Sequence, residues 1–233
     1  MQKLSLLPND LISAGPAKIM WKPCSRGFSV KSMYNILIQA KFPGDIDFPE
    51  RVIWQPVVPM KVKAFMWILS YKGILTHDNL MKRGWKLASM CVLCRAAVED
   101  INHLFVHCPF SCRVWNLLLN MVEMGSPLED DIATIIKGWP VAKPNAWIDR
   151  FKSVLLHAFT WEIWKERSAR VFRDTSRPMQ IIFYKTCRSL ASWMAASGVL
   201  TEQNRQEWLV RMFQAYPPRQ LNDRTLQLEA GES

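Results

Sequence analysis

The feature of this sequence that most constrains its fold is a set of four potential metal ligands within eighteen residues. Cys91 and Cys94 are separated by two residues. His103 follows after eight further residues and Cys108 after another four, which gives the pattern C-x2-C-x8-H-x4-C. A C-x2-C turn directs both sulfur atoms toward one point, and residues 103 and 108 can lie about one turn apart on a following helix. Thiolate and imidazole ligands together favour zinc, so the spacing predicts one structural zinc ion.

Two neighbouring residues leave the ligand assignment open. His107 and Cys112 are close enough in sequence to compete with His103 and Cys108. We rank His103 and Cys108 first, and expect His107 beside the site or on the surface and Cys112 in the core. The alternative to a metal site is a group of ordinary buried thiols, because free cysteine packs well as a small hydrophobic residue. Four ligand residues in so short a span make that alternative the weaker one.

The composition and the spacing of apolar residues predict a mainly α-helical fold. The chain has eleven Trp and eleven Phe but only nine Gly. Large aromatic side chains suit packed helices, whereas strand-and-turn proteins need glycine at their turns. Pro109 is expected to break or restart the helix that follows His103. The helices predicted from apolar spacing span residues 30–41, 60–71, 76–84, 129–137, 146–173, 178–197 and 201–214.

Changes in composition divide the chain into three predicted parts. Residues 1–27 are polar and proline-bearing, and we interpret them as an N-terminal remnant with at most a short β-hairpin. Residues 28–125 contain the ligand cluster and form the predicted zinc-stabilised helical domain. Residues 126–233 follow a Gly-Ser-Pro break and form a predicted helical C-terminal region, with a frayed tail from about residue 217.

The positive charge of the chain is concentrated in its first half. The formal net charge is +10, and residues 17–95 carry thirteen Lys and Arg against four Asp and Glu. Such a surplus favours a polyanion partner, RNA or DNA, because phosphate contacts release counterions; a solvated basic face is the alternative. Exposed tryptophans could stack on bases. The basic residues that we expect to face a nucleic acid are Lys61, Lys63, Lys72, Lys82, Arg83, Lys86 and Arg95.

The sequence offers no recognisable catalytic motif. A polymerase needs carboxylates gathered around two metal ions, but no Tyr-x-Asp-Asp pattern occurs, and the acidic run at residues 129–131 is expected to open a helix. Cys24 and Cys187 have no sequence cue for a partner base. We therefore predict that the chain is not an enzyme. No stretch reaches the roughly 18 apolar residues of a membrane span and no export signal is evident, so we expect reduced cysteines inside the cell, with a nuclear location only a guess.

Six blocks of residues in a fixed order carry a resemblance to a known family. The blocks are Phe28–Tyr34, Ile53-Trp54, Pro59–Trp67, Leu75–Gly84, Cys91-x-x-Cys94 and His103-Leu104-Phe105-x-x-Cys108. Together they resemble the plant reverse-transcriptase zinc-binding domain, a family found in the C-terminal region of LINE-type non-LTR retrotransposon polyproteins. The combination is specific although each block alone is weak. The resemblance covers roughly residues 28–120, and the downstream stretch Trp161–Phe172 also resembles these polyproteins.

This resemblance implies a retrotransposon-derived module and places the family's zinc ligands on Cys91, Cys94, His103 and Cys108. The function that we expect is a non-catalytic RNA- or DNA-binding accessory to reverse transcription, with a protein partner such as a reverse transcriptase. The alternative is a structural or protein-interaction fragment that binds no nucleic acid. Its many tryptophans would then mark an orphaned interface.

Overall fold

The computed structural model describes residues 29, 32, 33, 48–125, 131–141 and 147–216. The chain divides into two compact units, Met1–Phe48 and Pro49–Ser233. In the first unit, Ser29 and Ser32 exchange reciprocal backbone-to-hydroxyl hydrogen bonds of 3.1 Å, as the predicted N-cap at Ser29 requires. The predicted N-terminal hairpin, most of the helix at 30–41 and the tail from residue 217 lie outside the described residues.

The described part of the second unit is helical. It contains no strand, only one antiparallel bridge between Met90 and Val98. The prediction of a mainly α fold is therefore confirmed. Its helices are α1 (Glu50–Trp54), α2 (Met60–Ser70), α3 (His77–Lys82), α4 (Pro109–Met121), α5 (Ile132–Gly138), α6 (Trp147–Arg173), α7 (Met179–Ala196) and α8 (Glu202–Ala215), with a π-helical turn at His103–His107.

Local sequence signals explain several of the helix boundaries. The helical turn that starts at His103 ends before Cys108, and a new helix, α4, begins at Pro109. Pro109 therefore restarts the helix, as predicted. Proline suits this position because its missing N–H would have no partner inside the helix. Asp131 caps α5, since its carboxylate accepts a 3.2 Å hydrogen bond from the backbone N–H of Ala133. The expected acidic helix start thus acts as an N-cap.

An aromatic cluster joins α2, α6 and the π-helical turn. Phe65 of α2 lies at its centre, with its ring centroid 5.4 Å from that of Trp161, 5.8 Å from that of Trp164 and 6.4 Å from that of Phe105. Edge-on aromatic contacts of this kind add to the free energy gained by burying the rings. Phe65 therefore links the segment that supplies His103 to α6.

The 27-residue helix α6 is the element that connects the rest of the second unit. It packs against α2, α4 and α7. Phe159 of α6 lies 4.3 Å from Trp115 of α4, and Phe151 lies 4.5 Å from Trp208 of α8, measured between ring centroids. Helices before and after residue 125 thus share a core. The predicted domain boundary at residue 125 stays a prediction. Within the described residues, no helix combines the length and apolar composition of a membrane span.

The buried histidine of α6 should make the fold sensitive to acid. His157 has no exposed surface, and burial lowers its pKa from 6.5 to about 4. Between pH 6.5 and pH 4, His157 is protonated in the unfolded chain but stays neutral in the folded chain. The free energy of unfolding therefore falls as the pH drops through this range. We expect His157→Leu to reduce this loss by about 2 kcal/mol at pH 5, measured by urea unfolding between pH 7 and 5. An unchanged pH dependence in the variant would contradict this role for His157.

Candidate metal centre

Cys91 and Cys94 lie in a tight loop whose two ends are joined by backbone hydrogen bonds. The N–H of Cys91 donates to the carbonyl of Ala97 at 2.8 Å, and the N–H of Glu99 donates to the carbonyl of Ser89 at 2.7 Å. Within the loop, the N–H of Arg95 donates to the carbonyl of Cys91 at 2.8 Å. Arg95 has φ of 55°, a left-handed conformation that suits a tight reversal. This loop turns the sulfur atoms of Cys91 and Cys94 toward the same side.

A π-helical turn brings the other two potential ligands together. The N–H of Cys108 donates to the carbonyl of His103 at 2.6 Å, five residues earlier, which is the hydrogen bond that defines a π-helix. On an α-helix with 3.6 residues per turn, side chains five residues apart would diverge. The wider π-helical turn brings the side chains of His103 and Cys108 back to the same side. The sequence had suggested an ordinary α-helical turn between these two residues.

The four side chains predicted as ligands meet in one cluster. The candidate ligand atoms of Cys91, Cys94, His103 and Cys108 all lie within 4.8 Å of one another. The Sγ atoms of Cys91 and Cys108 are 4.0 Å apart, and Sγ of Cys94 is 3.3 Å from Nε2 of His103. Tetrahedral zinc with ordinary bond lengths would place two sulfurs about 3.8 Å apart, and a sulfur and a nitrogen about 3.6 Å apart. The cluster can therefore hold one zinc ion.

The protonation states of the cluster also suit a metal ion. A hydrogen bond between the two sulfur atoms lowers the pKa of Cys108 and raises that of Cys91. Burial lowers the pKa of His103, which keeps its ring in the neutral form that binds metals. A bound cation would favour deprotonation of the cysteines.

The two competing residues from the sequence lie outside this cluster. His107 is exposed at the end of the π-helical turn. Cys112 lies on α4, where its Sγ contacts the carbonyl oxygen of Val106 at 2.9 Å. Among the described residues, the group of side chains arranged to hold a metal ion contains neither of them.

Comparison with known proteins agrees with this geometry. Residues 28–115 match the model of a protein family described as zinc-binding in reverse transcriptase. This segment is therefore similar to reverse-transcriptase zinc-binding domains. The chain is also 27% identical, over 108 residues, to a provisionally named ribonuclease H protein of Arabidopsis thaliana; the match covers 46% of this chain and 17% of that relative. No solved structure matches.

A buried ion pair connects the zinc-binding domain to α6. The guanidinium of Arg167 donates two hydrogen bonds to Oε1 of Glu99, at 2.7 and 3.1 Å, and both side chains are almost completely buried. The same oxygen accepts the backbone N–H of His77 at 3.0 Å. The ring of Trp164 lies 5.1 Å from the guanidinium and covers it. Glu99 precedes His103 by four residues, so this pair fixes the approach to the cluster.

A second arginine of α6 holds the cysteine loop itself. Arg170 donates hydrogen bonds to the carbonyl oxygens of Val92 and Leu93, at 3.2 and 3.0 Å. These are the two residues between Cys91 and Cys94. Glu166 balances the charge of Arg170 through a 2.7 Å ion pair. Sequence reasoning missed the roles of Arg167 and Arg170, although both lie in the Trp161–Phe172 stretch whose resemblance to retrotransposon proteins was noted.

Several of the seven basic residues predicted to face a nucleic acid already have partners within the protein. Lys63 donates to the carbonyl of Trp54 at 2.7 Å, and Nζ of Lys61 lies 5.9 Å from the ring centroid of Trp161. Two further lysines form ion pairs, Lys72 with Asp131 at 3.0 Å and Lys82 with Asp78 at 2.9 Å. Of the seven, the residues that are exposed and form neither an ion pair nor a cation-π contact within the described part of the chain are Arg83, Lys86 and Arg95.

Breaking the buried ion pair should weaken the zinc-binding domain and α6 together. We expect Arg167→Met to lower the free energy of unfolding by about 3–5 kcal/mol, because Glu99 would remain buried without its partner. Urea unfolding of the zinc-loaded protein measures this. The control is Arg173→Met, which removes an exposed arginine from the same helix and should change stability by less than about 0.5 kcal/mol. Equal effects of the two substitutions would contradict the importance of the pair.

Proposed function

We propose that this chain is a non-catalytic RNA- or DNA-binding accessory module of reverse transcription, whose surface is shaped by one structural zinc ion. The proposed ligands are Cys91, Cys94, His103 and Cys108. The observation that supports this most directly is the convergence of these four side chains beside an exposed basic segment. Four protein ligands complete a tetrahedral site and leave no position for a reactive water, as is typical of structural zinc.

The way in which the buried carboxylates are used supports a non-catalytic role. Glu99 accepts hydrogen bonds from Arg167, and Glu166 accepts them from Arg170. Glu162 accepts hydrogen bonds from Lys165 and from the hydroxyl of Ser189, both at 2.7 Å. Nucleases and polymerases that use two metal ions need carboxylates directed at the metals, whereas each of these three binds structural partners through its Oε1 atom. We therefore do not extend the ribonuclease name of the Arabidopsis relative to this chain.

The basic segment that we propose for binding includes the end of α3, the loop that follows it and the cysteine loop. Residues 79–98 contain four basic residues, Lys82, Arg83, Lys86 and Arg95, and no acidic residue. Arg83, Lys86 and Arg95 are the best candidates for phosphate contacts, because no ion pair with a described residue competes for their charge. Such contacts supply sequence-independent affinity that weakens with added salt.

One observation favours the second candidate function, a protein-interaction module. Helix α2 is apolar on its outer side as well as on its buried side. Exposed apolar patches on a soluble protein often mark a contact with a partner. The large apolar side chains exposed on and just after this helix are Met60, Trp67, Ile68, Tyr71 and Leu75.

The ligand assignment can be tested by metal content. We expect the purified protein to contain one zinc ion per chain, and Cys108→Ser to lose it together with helical signal, because a structural ion contributes to folding. The matched control is Cys112→Ser, four residues further on, which should keep both. Metal analysis by atomic emission and far-UV circular dichroism measure the two properties. Loss of zinc in Cys112→Ser with retention in Cys108→Ser would reverse the assignment.

Nucleic-acid binding can be tested by its salt dependence. We expect the parent to bind single-stranded RNA with an affinity that falls as salt rises. Replacing Arg83, Lys86 and Arg95 together by serine should reduce the slope of log K against log salt by about 2, since each lost phosphate contact removes about 0.7. The control replaces three exposed arginines of α4, α7 and α8 by serine, namely Arg113, Arg188 and Arg205. Binding that is insensitive to salt, or equally weakened by the control, would contradict the proposed surface.

A further inference from the structure

An exposed tryptophan stands in the middle of the basic segment. Trp85 is 63% exposed, compared with 37% for Trp54 and 38% for Trp67. Arg83 lies two residues before it in the sequence, and Lys86 follows it directly. No ring stacking or cation-π contact joins its indole to another described residue. The indole surface is therefore available to a ligand.

The backbone at this position is fixed by the way α3 ends. The N–H of Trp85 donates to the carbonyl of Leu80 at 3.1 Å, and the N–H of Gly84 donates to the carbonyl of Met81 at 2.9 Å. These two hydrogen bonds form a Schellman motif, which needs a left-handed residue after the helix. Gly84 supplies it with φ of 90°, a conformation that glycine adopts without steric cost. The motif ends the helix and fixes the backbone of Trp85.

The charges around Trp85 suit a phosphate backbone. Arg83 and Lys86 are exposed without an ion pair in the described part of the chain, and no carboxylate occurs between residues 79 and 98. The nearest acidic residue in sequence, Asp78, is already paired with Lys82 and hydrogen-bonded to Thr76. A strand whose base lies on the indole would thus meet cations on both sides.

From this combination we propose that Trp85 is a stacking site for an unpaired base, so that the module binds single-stranded nucleic acid in preference to duplex. This inference rests on the proposed nucleic-acid-binding function and specifies its ligand. A duplex keeps both faces of its bases stacked inside the helix and offers only phosphates to this surface. An unpaired base can lie on the indole face, and such stacking tolerates any base because every base has a π-face.

The test compares three probes by fluorescence anisotropy with the full-length, zinc-loaded protein: an oligo(dT) single strand, the same backbone with abasic residues, and a duplex of equal length. We expect Trp85→Ala to weaken binding of oligo(dT) roughly ten-fold, from the loss of one stacked base. Binding of the abasic strand and of the duplex should stay unchanged. Trp85→Phe should restore most of the affinity for oligo(dT), because a phenyl ring can also stack. Trp67→Ala, which removes another exposed tryptophan, is the control.

Each outcome separates this inference from the function on which it rests. If no probe binds in a salt-dependent manner, the proposed nucleic-acid function is wrong, and the stacking site with it. If all probes bind with salt dependence but Trp85→Ala weakens none of them, or weakens the duplex and the abasic strand as much as oligo(dT), the stacking site alone is wrong. Unchanged zinc content and circular dichroism of Trp85→Ala verify that the variant is folded.

Discussion

The ion pair between Glu99 and Arg167 is the interaction on which the arrangement of the metal centre depends. Two opposite charges are buried with almost no exposure, where either one alone would be costly. Their cost is offset by direct contact and by the backbone N–H of His77, which donates to the same carboxylate oxygen. Three segments far apart in sequence must therefore meet correctly: the start of α3, the residues before His103, and the second half of α6.

The contacts around the candidate metal centre extend beyond the segment that the family match covers. The matched residues end at 115, yet Arg167 and Arg170, which hold the approach to the cluster and the cysteine loop, lie on α6. Phe65 and Phe105 also pack toward α6 through the aromatic cluster. A zinc ion bound by the four side chains would thus hold the same loop that Arg170 of α6 binds through its backbone carbonyls. A small loop-rich domain gains little core of its own, so such external support matters.

The sequence predicted the ligand cluster and the helices because both rest on local spacing. The C-x2-C turn and the position of Pro109 are short-range signals, and α2, α6, α7 and α8 begin and end within about two residues of the predicted limits. The π-helical turn was not predicted, since five-residue spacing alone does not distinguish it from an α-helical turn followed by a break. The partnership of Glu99 with Arg167 spans 68 residues, and nothing local in a single sequence indicates it.

The contacts of the basic residues also could not be predicted from the local sequence. Composition placed a positive surplus in the first half of the chain, but it could not distinguish Lys63, which donates to the carbonyl of Trp54, from Lys86, which is exposed and forms no ion pair with a described residue. Long cationic side chains can serve packing as well as charge. Of the seven predicted residues, Arg83 and Lys86 lie beside Trp85, where the backbone motif at Gly84 ends α3.

We propose that the zinc cluster and the second half of α6 form one cooperative unit. The most direct test is amide hydrogen exchange of the zinc-loaded protein before and after a chelator removes the zinc. We expect protection to be lost together in residues 89–108 and in residues 161–172, because Arg167 and Arg170 lose the loop that they hold. Loss of protection confined to residues 89–108, with α6 unchanged, would contradict it.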